Sequence, residues 1–197
     1  MRTVIGISGA SGIVYGVRLL EELPGHKTVI VSADAARIAR AELGLGVEEI
    51  HSLADEHYSN DDLLSPLASG SVRFDSLVIA PCSASTMSKI SCGIADNLMT
   101  RVASVALKER RRLLLLVRET PLSSIHLHNM HTLALAGATI MPACPAFYPR
   151  PLKVEDIVDF VVGRVLDALG VDNDLYRRWN GKGAVPRGSR GSRRTRR

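Results

Sequence analysis

Five short apolar runs, at residues 3–8, 28–32, 77–81, 113–117 and 139–142, constrain the fold of this chain more than any other feature. Each is rich in Val, Ile or Leu without clean alternation, the pattern of strands covered on both faces. Helical patterns occupy 13–23, 35–43, 84–96, 98–110 and 125–135, with a last amphipathic stretch at 154–169. Strand and helix alternating in this way predict a parallel sheet with right-handed crossovers and helices on both faces. The expected fold is a single α/β domain of three layers, doubly wound in the Rossmann-like or flavodoxin-like manner. Ligands in such folds bind beyond the carboxyl ends of the strands, which is where the polar motifs fall. Residues 44–72 lack a strong period and are expected to form a short helix and a loop with polar tips. No internal repeat is visible.

The charge balance needs dividing before it says anything about partners. The net charge is +5, yet residues 182–197 contain Lys182 and six arginines and no acid, so removing those seven cations leaves the body at −2. The basic character therefore belongs to the tail, expected to be disordered from residue 180 onward, and a nucleic-acid groove in the body is not implied. Cys82, Cys92 and Cys144 have spacings that fit neither a disulfide framework nor a zinc site. The start, MRTVIGISGASG, runs directly into a strand without a charged leader, and LLLLV at 113–117 is far too short to cross a bilayer. A cytoplasmic protein is expected, without membrane insertion.

Two strand ends carry small polar turns. GISGASG, residues 6–12, offers glycines for close backbone approach and the amides and hydroxyls of Ser8 and Ser11 for an anion at a helix N-terminus. A tight turn with a serine cap accounts for it equally well. It is not the G-x-G-x-x-G fingerprint, and no acidic residue follows the second strand in the ribose-binding role. In APCSAST, residues 80–86, the hydroxyls of Ser83, Ser85 and Thr86 suit either helix capping or a second anion contact. Cys82 is read as a small hydrophobe, with no base nearby to activate it.

Further along, Arg118 and Glu119 form a charge pair at the carboxyl end of a buried strand, where a carboxylate can act as general acid or base. Lys108 and Arg110 to Arg112 precede that strand and read as solvated charge at the amino end of the sheet. PAFYPRP, residues 145–151, either simply turns or walls an apolar pocket with Tyr148 as a donor. Helical spacing puts Arg164 near the buried stripe of its helix, where it would snorkel or bind a phosphate. His126, His128 and His131 do not share one face, so no metal site is expected.

Taken together, GISGASGIVYGVRLLE, SADAARIARAE, PCSASTMSKI, VALKERRRLLLLVRETPLSSIHLHNM, PAFYPRP and VEDIVDFVVGRVLDALG resemble the flavin prenyltransferases of the UbiX family, a family also named after the phenolic acid decarboxylases. The resemblance spans residues 1–179, implying a flavoprotein domain there and a basic tail at 180–197. It implies FMN and dimethylallyl phosphate as substrates, prenylated FMN as product, a UbiD-type decarboxylase as recipient, and no metal. By position it assigns Gly9, Ala10, Ser11, Ser32, Ser83, Ala84, Ser85, Thr86 and Arg101 to the flavin. It assigns Lys108, Arg118, Tyr148, Arg164 and Trp179 to the prenyl donor, and Glu42 and Glu119, with Ser11 as relay, to proton handling. Lys108 would then reach the site of an adjoining subunit in a homo-oligomer, commonly a dodecamer, contrary to its reading as surface charge. APCSASTMSKISCGIADNL also resembles the flavin-dependent cysteine decarboxylases of coenzyme A synthesis, but their PAMN-type motif and lid cysteine are absent. Nucleic-acid or acidic-partner binding by the tail rests on charge alone, and VPRGS within it resembles a protease-site linker.

Overall fold

A computed structural model describes residues 1–181; the expectation of a disordered basic tail at 180–197 falls, from residue 182 onward, outside the described residues. Six parallel strands form one sheet: β1 (Arg2–Ile7), β2 (His26–Val31), β3 (Glu56–Ser59), β4 (Ser76–Cys82), β5 (Arg112–Val117) and β6 (Thr139–Pro142). Seven helices connect and cover them: α1 (Ile13–Glu22), α2 (Ala33–Leu43), α3 (Val47–His51), α4 (Ala84–Ser91), α5 (Leu98–Lys108), α6 (Ser124–Leu135) and α7 (Val154–Leu169). All five expected strands are present. The sixth, β3, lies in the stretch read as a short helix and loop. It pairs only with β2, at the sheet edge, and its half-exposed EHYS sequence has no apolar run to announce it.

The strand order is β3-β2-β1-β4-β5-β6, the Rossmann arrangement. Successive strand residues point to opposite faces, and the two cores divide accordingly. Ile5, Ile7, Val29, Val31, Val78, Ala80, Leu114 and Leu116 face α1, α2 and α7, whereas Val4, Ile30, Leu77, Ile79, Leu113 and Leu115 face α4, α5 and α6. This division explains why the runs lack alternation, since both faces of the four inner strands are covered by helices. No helix among the described residues is long and apolar enough to cross a membrane.

The helix expected at 84–96 ends at Ser91, and the chain makes a turn at Gly93 (φ 72°) before Asn97 caps α5 by accepting the Thr100 amide at 3.0 Å. A left-handed glycine followed by a strong cap ends the first of the two expected helices five residues early and opens a loop before the second.

Candidate functional site

The sheet reverses its direction of growth between β1 and β4, and a crevice opens there beyond the carboxyl ends of the strands. Ser8, immediately after β1, is buried and joins the two sides. Its hydroxyl donates to the Pro81 carbonyl at 2.8 Å and accepts the Ser83 amide at 2.8 Å. Gly9, Ser32, Ser83, Ser85 and Thr86 then line a crevice of about 290 Å³ together with Asp34, Asn60, Asp61, Lys89 and Asn97.

The serines at this crevice also end helices. Ser32 accepts the Ala35 amide at 3.1 Å and starts α2; Ser83 accepts the Thr86 amide at 3.2 Å, donates to the Thr86 hydroxyl at 3.0 Å and starts α4. Capping therefore accounts for Ser32 and Ser83, and the same caps aim two helix N-termini, with their partial positive charge, at one space. Ala84 sits half-buried in the first turn of α4, and Ala10 is buried beside the β1 turn.

The glycine turn after β1 differs from its sequence reading. The amides at the start of α1 are filled from within the chain: Glu42, near the end of α2, accepts from Gly12 at 3.0 Å and from Ile13 at 3.1 Å. The anion at this helix N-terminus is thus a carboxylate thirty residues away. The Ser8 hydroxyl is likewise committed, so of the groups in this turn that hydroxyl and the Gly12 and Ile13 amides are taken within the chain, while Gly9 and Ser11 are exposed. Gly12 itself has φ 94°, and a Cβ there would lie 3.0 Å from the Tyr15 ring.

At the end of β5 the expected Arg118–Glu119 pair separates. Arg118 donates from Nε to the Ser11 carbonyl at 3.0 Å, whereas Glu119 accepts the Thr120 amide at 3.0 Å. Both residues lie in the loop just past β5, where the chain leaves the sheet and the two side chains take different partners. Arg118 thereby ties the β5 loop to the β1 turn. Beside it lies Tyr15, whose phenol is raised above its usual range by burial; Arg118 opposes that shift and Cys144 adds to it. Cys82 is fully buried and its thiol is pushed up to about 12 by desolvation, so it stays protonated.

A second group forms where the loop after β6 meets α7. The Ala143 amide donates to the Val117 carbonyl, setting this loop beside β5. Tyr148 makes edge contacts with Phe160 of α7 at 5.9 Å and with Trp179 at 5.4 Å, and Phe160 meets Tyr176 at 4.7 Å. Arg164 is not near the buried stripe. Val161 and Val165 turn inward while Arg164 is exposed, donating to Asp167 at 2.9 Å and to the Tyr176 hydroxyl at 3.2 Å.

Two assigned residues lie away from both groups. Lys108 ends α5 at the amino end of the sheet, paired with Glu109 at 2.7 Å, so within one chain the surface reading describes it correctly. Arg101, two turns earlier on the same side of α5, donates to the Ala68 carbonyl at 3.0 Å. Asp34, Asn60 and Asp61 are crevice residues the sequence reading missed. Asp34 sits in the first turn of α2, where a Cβ on Gly9 would come within 2.7 Å of its Cβ, so an acid does follow the second strand into the crevice. Asn60 follows the unrecognised β3 and accepts the Met99 amide at 3.0 Å. Among the described residues, no group of three or more His, Cys, Asp or Glu side chains can hold a metal ion.

A Rossmann sheet with two capped helix N-termini converging on its switch point defines a nucleotide- or flavin-phosphate-binding protein of the α/β class, and a family model described as Flavoprotein matches residues 1–166. The chain is 53% identical over 180 residues to the flavin prenyltransferase UbiX of Thermoplasma acidophilum, covering 91% of this chain and all of that protein. It is 51% identical to the UbiX of Methanocaldococcus jannaschii, over 91% and 98% of the two chains. A crystal structure of AnUbiX in complex with FMN and dimethylallyl pyrophosphate superposes with a TM-score of 0.89 at 40% identity, covering 91% of this chain and 97% of that one. A dodecameric FMN-dependent UbiX-like decarboxylase from Escherichia coli O157:H7 gives 0.90 at 40% identity, over 92% and 100%. The chain belongs to the Flavoprotein family and, within it, to the UbiX flavin prenyltransferases. The cysteine decarboxylase TvaF, at 18% identity and a TM-score of 0.60, shares the fold alone.

Proposed function

We propose that this enzyme binds reduced FMN at the β1/β4 crevice and transfers the dimethylallyl group of dimethylallyl phosphate to N5 and C6 of the flavin, giving prenylated FMN. The observation that carries the reading is the convergence of Gly9, Ser32, Ser83, Ser85 and Thr86 on one crevice, under the N-termini of α2 and α4. Hydroxyls and helix amides at one point are the donor set that a flavin phosphate needs. The AnUbiX complex with FMN and dimethylallyl pyrophosphate, at 40% identity, supports the same ligands.

Flavin supplies the nucleophilic positions, and the side chains supply the rest. Arg118, Tyr148 and Arg164, with Lys108 from an adjoining subunit, hold the donor's phosphate and neutralise its charge as the carbon–oxygen bond breaks and inorganic phosphate departs. Trp179 offers an aromatic face to the allylic carbons as positive charge develops on them. The N5 proton leaves with the departing phosphate as the N5–carbon bond forms. The prenyl double bond then takes up one proton as its tertiary carbon bonds to C6, and Glu119 accepts the proton lost from C6, with Ser11 as relay. Glu42, bonded to the Gly12 and Ile13 amides, holds the Ser11 turn in place.

The position of Lys108 at the far end of this chain favours a homo-oligomer, and the E. coli relative is a dodecamer. We place the enzyme in the cytoplasm, supplying prenylated flavin to a UbiD-type decarboxylase. Incubation with reduced FMN and dimethylallyl phosphate, followed by mass analysis of the flavin, tests the assignment. A flavin heavier by one prenyl unit is expected; an unshifted flavin from folded oligomer refutes it.

A further inference from the structure

The last described residues form a clasp on α7 that sequence patterns do not reveal. After α7 the chain turns back at Gly170, and three side chains of the returning segment bind one short stretch of that helix. Asn173 donates to the Gly163 carbonyl at 3.2 Å and to Asp167 at 3.0 Å. The Tyr176 hydroxyl donates to Asp167 Oδ2. Arg178 makes a bidentate pair with Asp167, at 2.8 and 3.1 Å. Arg164 binds the same carboxylate from within the helix at 2.9 Å.

The approach is close enough to demand glycine. A Cβ on Gly163 would lie 2.6 Å from the Tyr176 ring and 2.9 Å from Asn173 Oδ1. Asp167 is therefore the point at which five hydrogen-bond donors from four residues, Arg164, Asn173, Tyr176 and Arg178, meet. Burial works against its charge, but the bonds from Arg178, Tyr176 and Asn173 outweigh that and hold the carboxyl down to about 2. It is ionised at neutral pH.

Two residues at the ends of this clasp have a function in the proposed reaction. Arg164 takes the donor's phosphate, and Trp179, next to Arg178, packs on Tyr148. We propose that Asp167 is a positioning residue for the prenyl donor: through Arg164 at one end, and through Arg178 and Trp179 at the other, one carboxylate sets the phosphate grip and the aromatic wall together. The proposal rests on the prenyl-transfer reading above. It adds that the two ends of the donor are held by groups sharing one anchor, so loosening the anchor releases both. A bidentate guanidinium pair suits this task because its planar fork fixes direction as well as distance.

Trp179 is the only tryptophan in the chain, so its fluorescence reports the clasp without any catalysis. The test is Asp167→Asn in the FMN-loaded full chain. Before donor is added, Trp179 should become more open to acrylamide quenching and its emission should move to the red. In turnover the KM for dimethylallyl phosphate should rise ~10-fold, about the worth of one charge-assisted interaction, with FMN affinity unchanged. Unchanged quenching overturns the proposal. So does a KM that is unchanged or lower, the latter because it would make Asp167 a competitor of the phosphate for Arg164. If Asp167→Asn does not fold, Arg178→Ala on the exposed segment is used; it should raise quenching, with recovery in Arg178→Lys, and no change in quenching counts against the clasp. Absence of prenylated flavin from the unaltered chain defeats the prenyl-transfer reading, whereas the quenching comparison uses no donor and fails separately.

Discussion

The hydroxyl of Ser8 accepts the backbone amide of Ser83 at 2.8 Å and so joins the turns after β1 and β4 across the switch point of the sheet. The same hydroxyl donates to the Pro81 carbonyl, and Ser8 is 1% exposed. Ser8→Ala leaves the Ser83 amide and one lone pair of the carbonyl without this partner, at a cost of about 1–3 kcal/mol. Denaturant unfolding should show that loss, and an FMN titration should show weaker binding because the two walls of the crevice are no longer tied.

Glu42 fills two amides at the start of α1. Glu42→Ala should destabilise the protein by ~1 kcal/mol, combining a lost cap and a lost favourable charge at a helix N-terminus. Glu42→Gln keeps an acceptor oxygen and should recover part of that. Thermal unfolding of the two variants side by side separates the bond from the charge.

Gly163 admits Tyr176 and Asn173 against α7. Gly163→Ala favours the isolated helix by roughly 1 kcal/mol, yet it should lower the stability of the whole, because the added methyl meets the Tyr176 ring. A higher melting temperature in calorimetry would contradict the close packing described for the clasp.

Asp167 carries a pH signature. Its folded value, about 2, lies below the 3.8 of an unperturbed aspartate, so the unfolded chain binds the proton first. The contribution to stability is full above pH 3.8 and is lost as pH falls toward 2. It amounts to no more than about 2 kcal/mol, since Arg164 and Arg178 are half exposed and solvent screens them. Comparing acid unfolding of the unaltered chain with Asp167→Asn should show the difference between the two curves shrinking over that interval.

Glu119→Gln should slow formation of prenylated flavin by ~10²-fold or more, the usual range for loss of a general base. FMN binding should be largely kept, because the crevice residues proposed to hold the flavin phosphate do not include Glu119, and Gln retains an acceptor for the Thr120 amide. Single-turnover mass analysis of the flavin, with a parallel FMN titration, distinguishes the two.

Much of this architecture was legible in the linear pattern because buried parallel strands require unbroken apolar runs, and five of the six strands have them. β3 did not: as an edge strand it is paired on one side only, and EHYS needs no apolar stretch to sit there. Missing it also hid Asn60 and Asp61, which reach the crevice only because β3 carries them to the same end of the sheet as Ser32. Ser83 and Thr86 were legible, since a cap and its partner amide are three residues apart and local spacing suffices to name them.

Local spacing also explains where the reading of the residues went astray. Helical period places Arg164 near a buried stripe, but the period does not say that Asp167 and a returning segment await it on the outer face. The glycine turn after β1 offers amides to an anion, and nothing in its own residues tells that Glu42 arrives from α2 to take two of them, those of Gly12 and Ile13. The alternation of apolar runs and helices thus determined, by itself, the parallel three-layer fold, and the short-range Ser/Thr patterns determined the caps at its strand ends. Tertiary structure alone decided which ends face one another, which amides stay open, and which carboxylate anchors Arg164 and the segment bearing Trp179. Those contacts join residues far apart in the chain, whose meeting depends on crossover geometry and side-chain direction and leaves no period in the sequence.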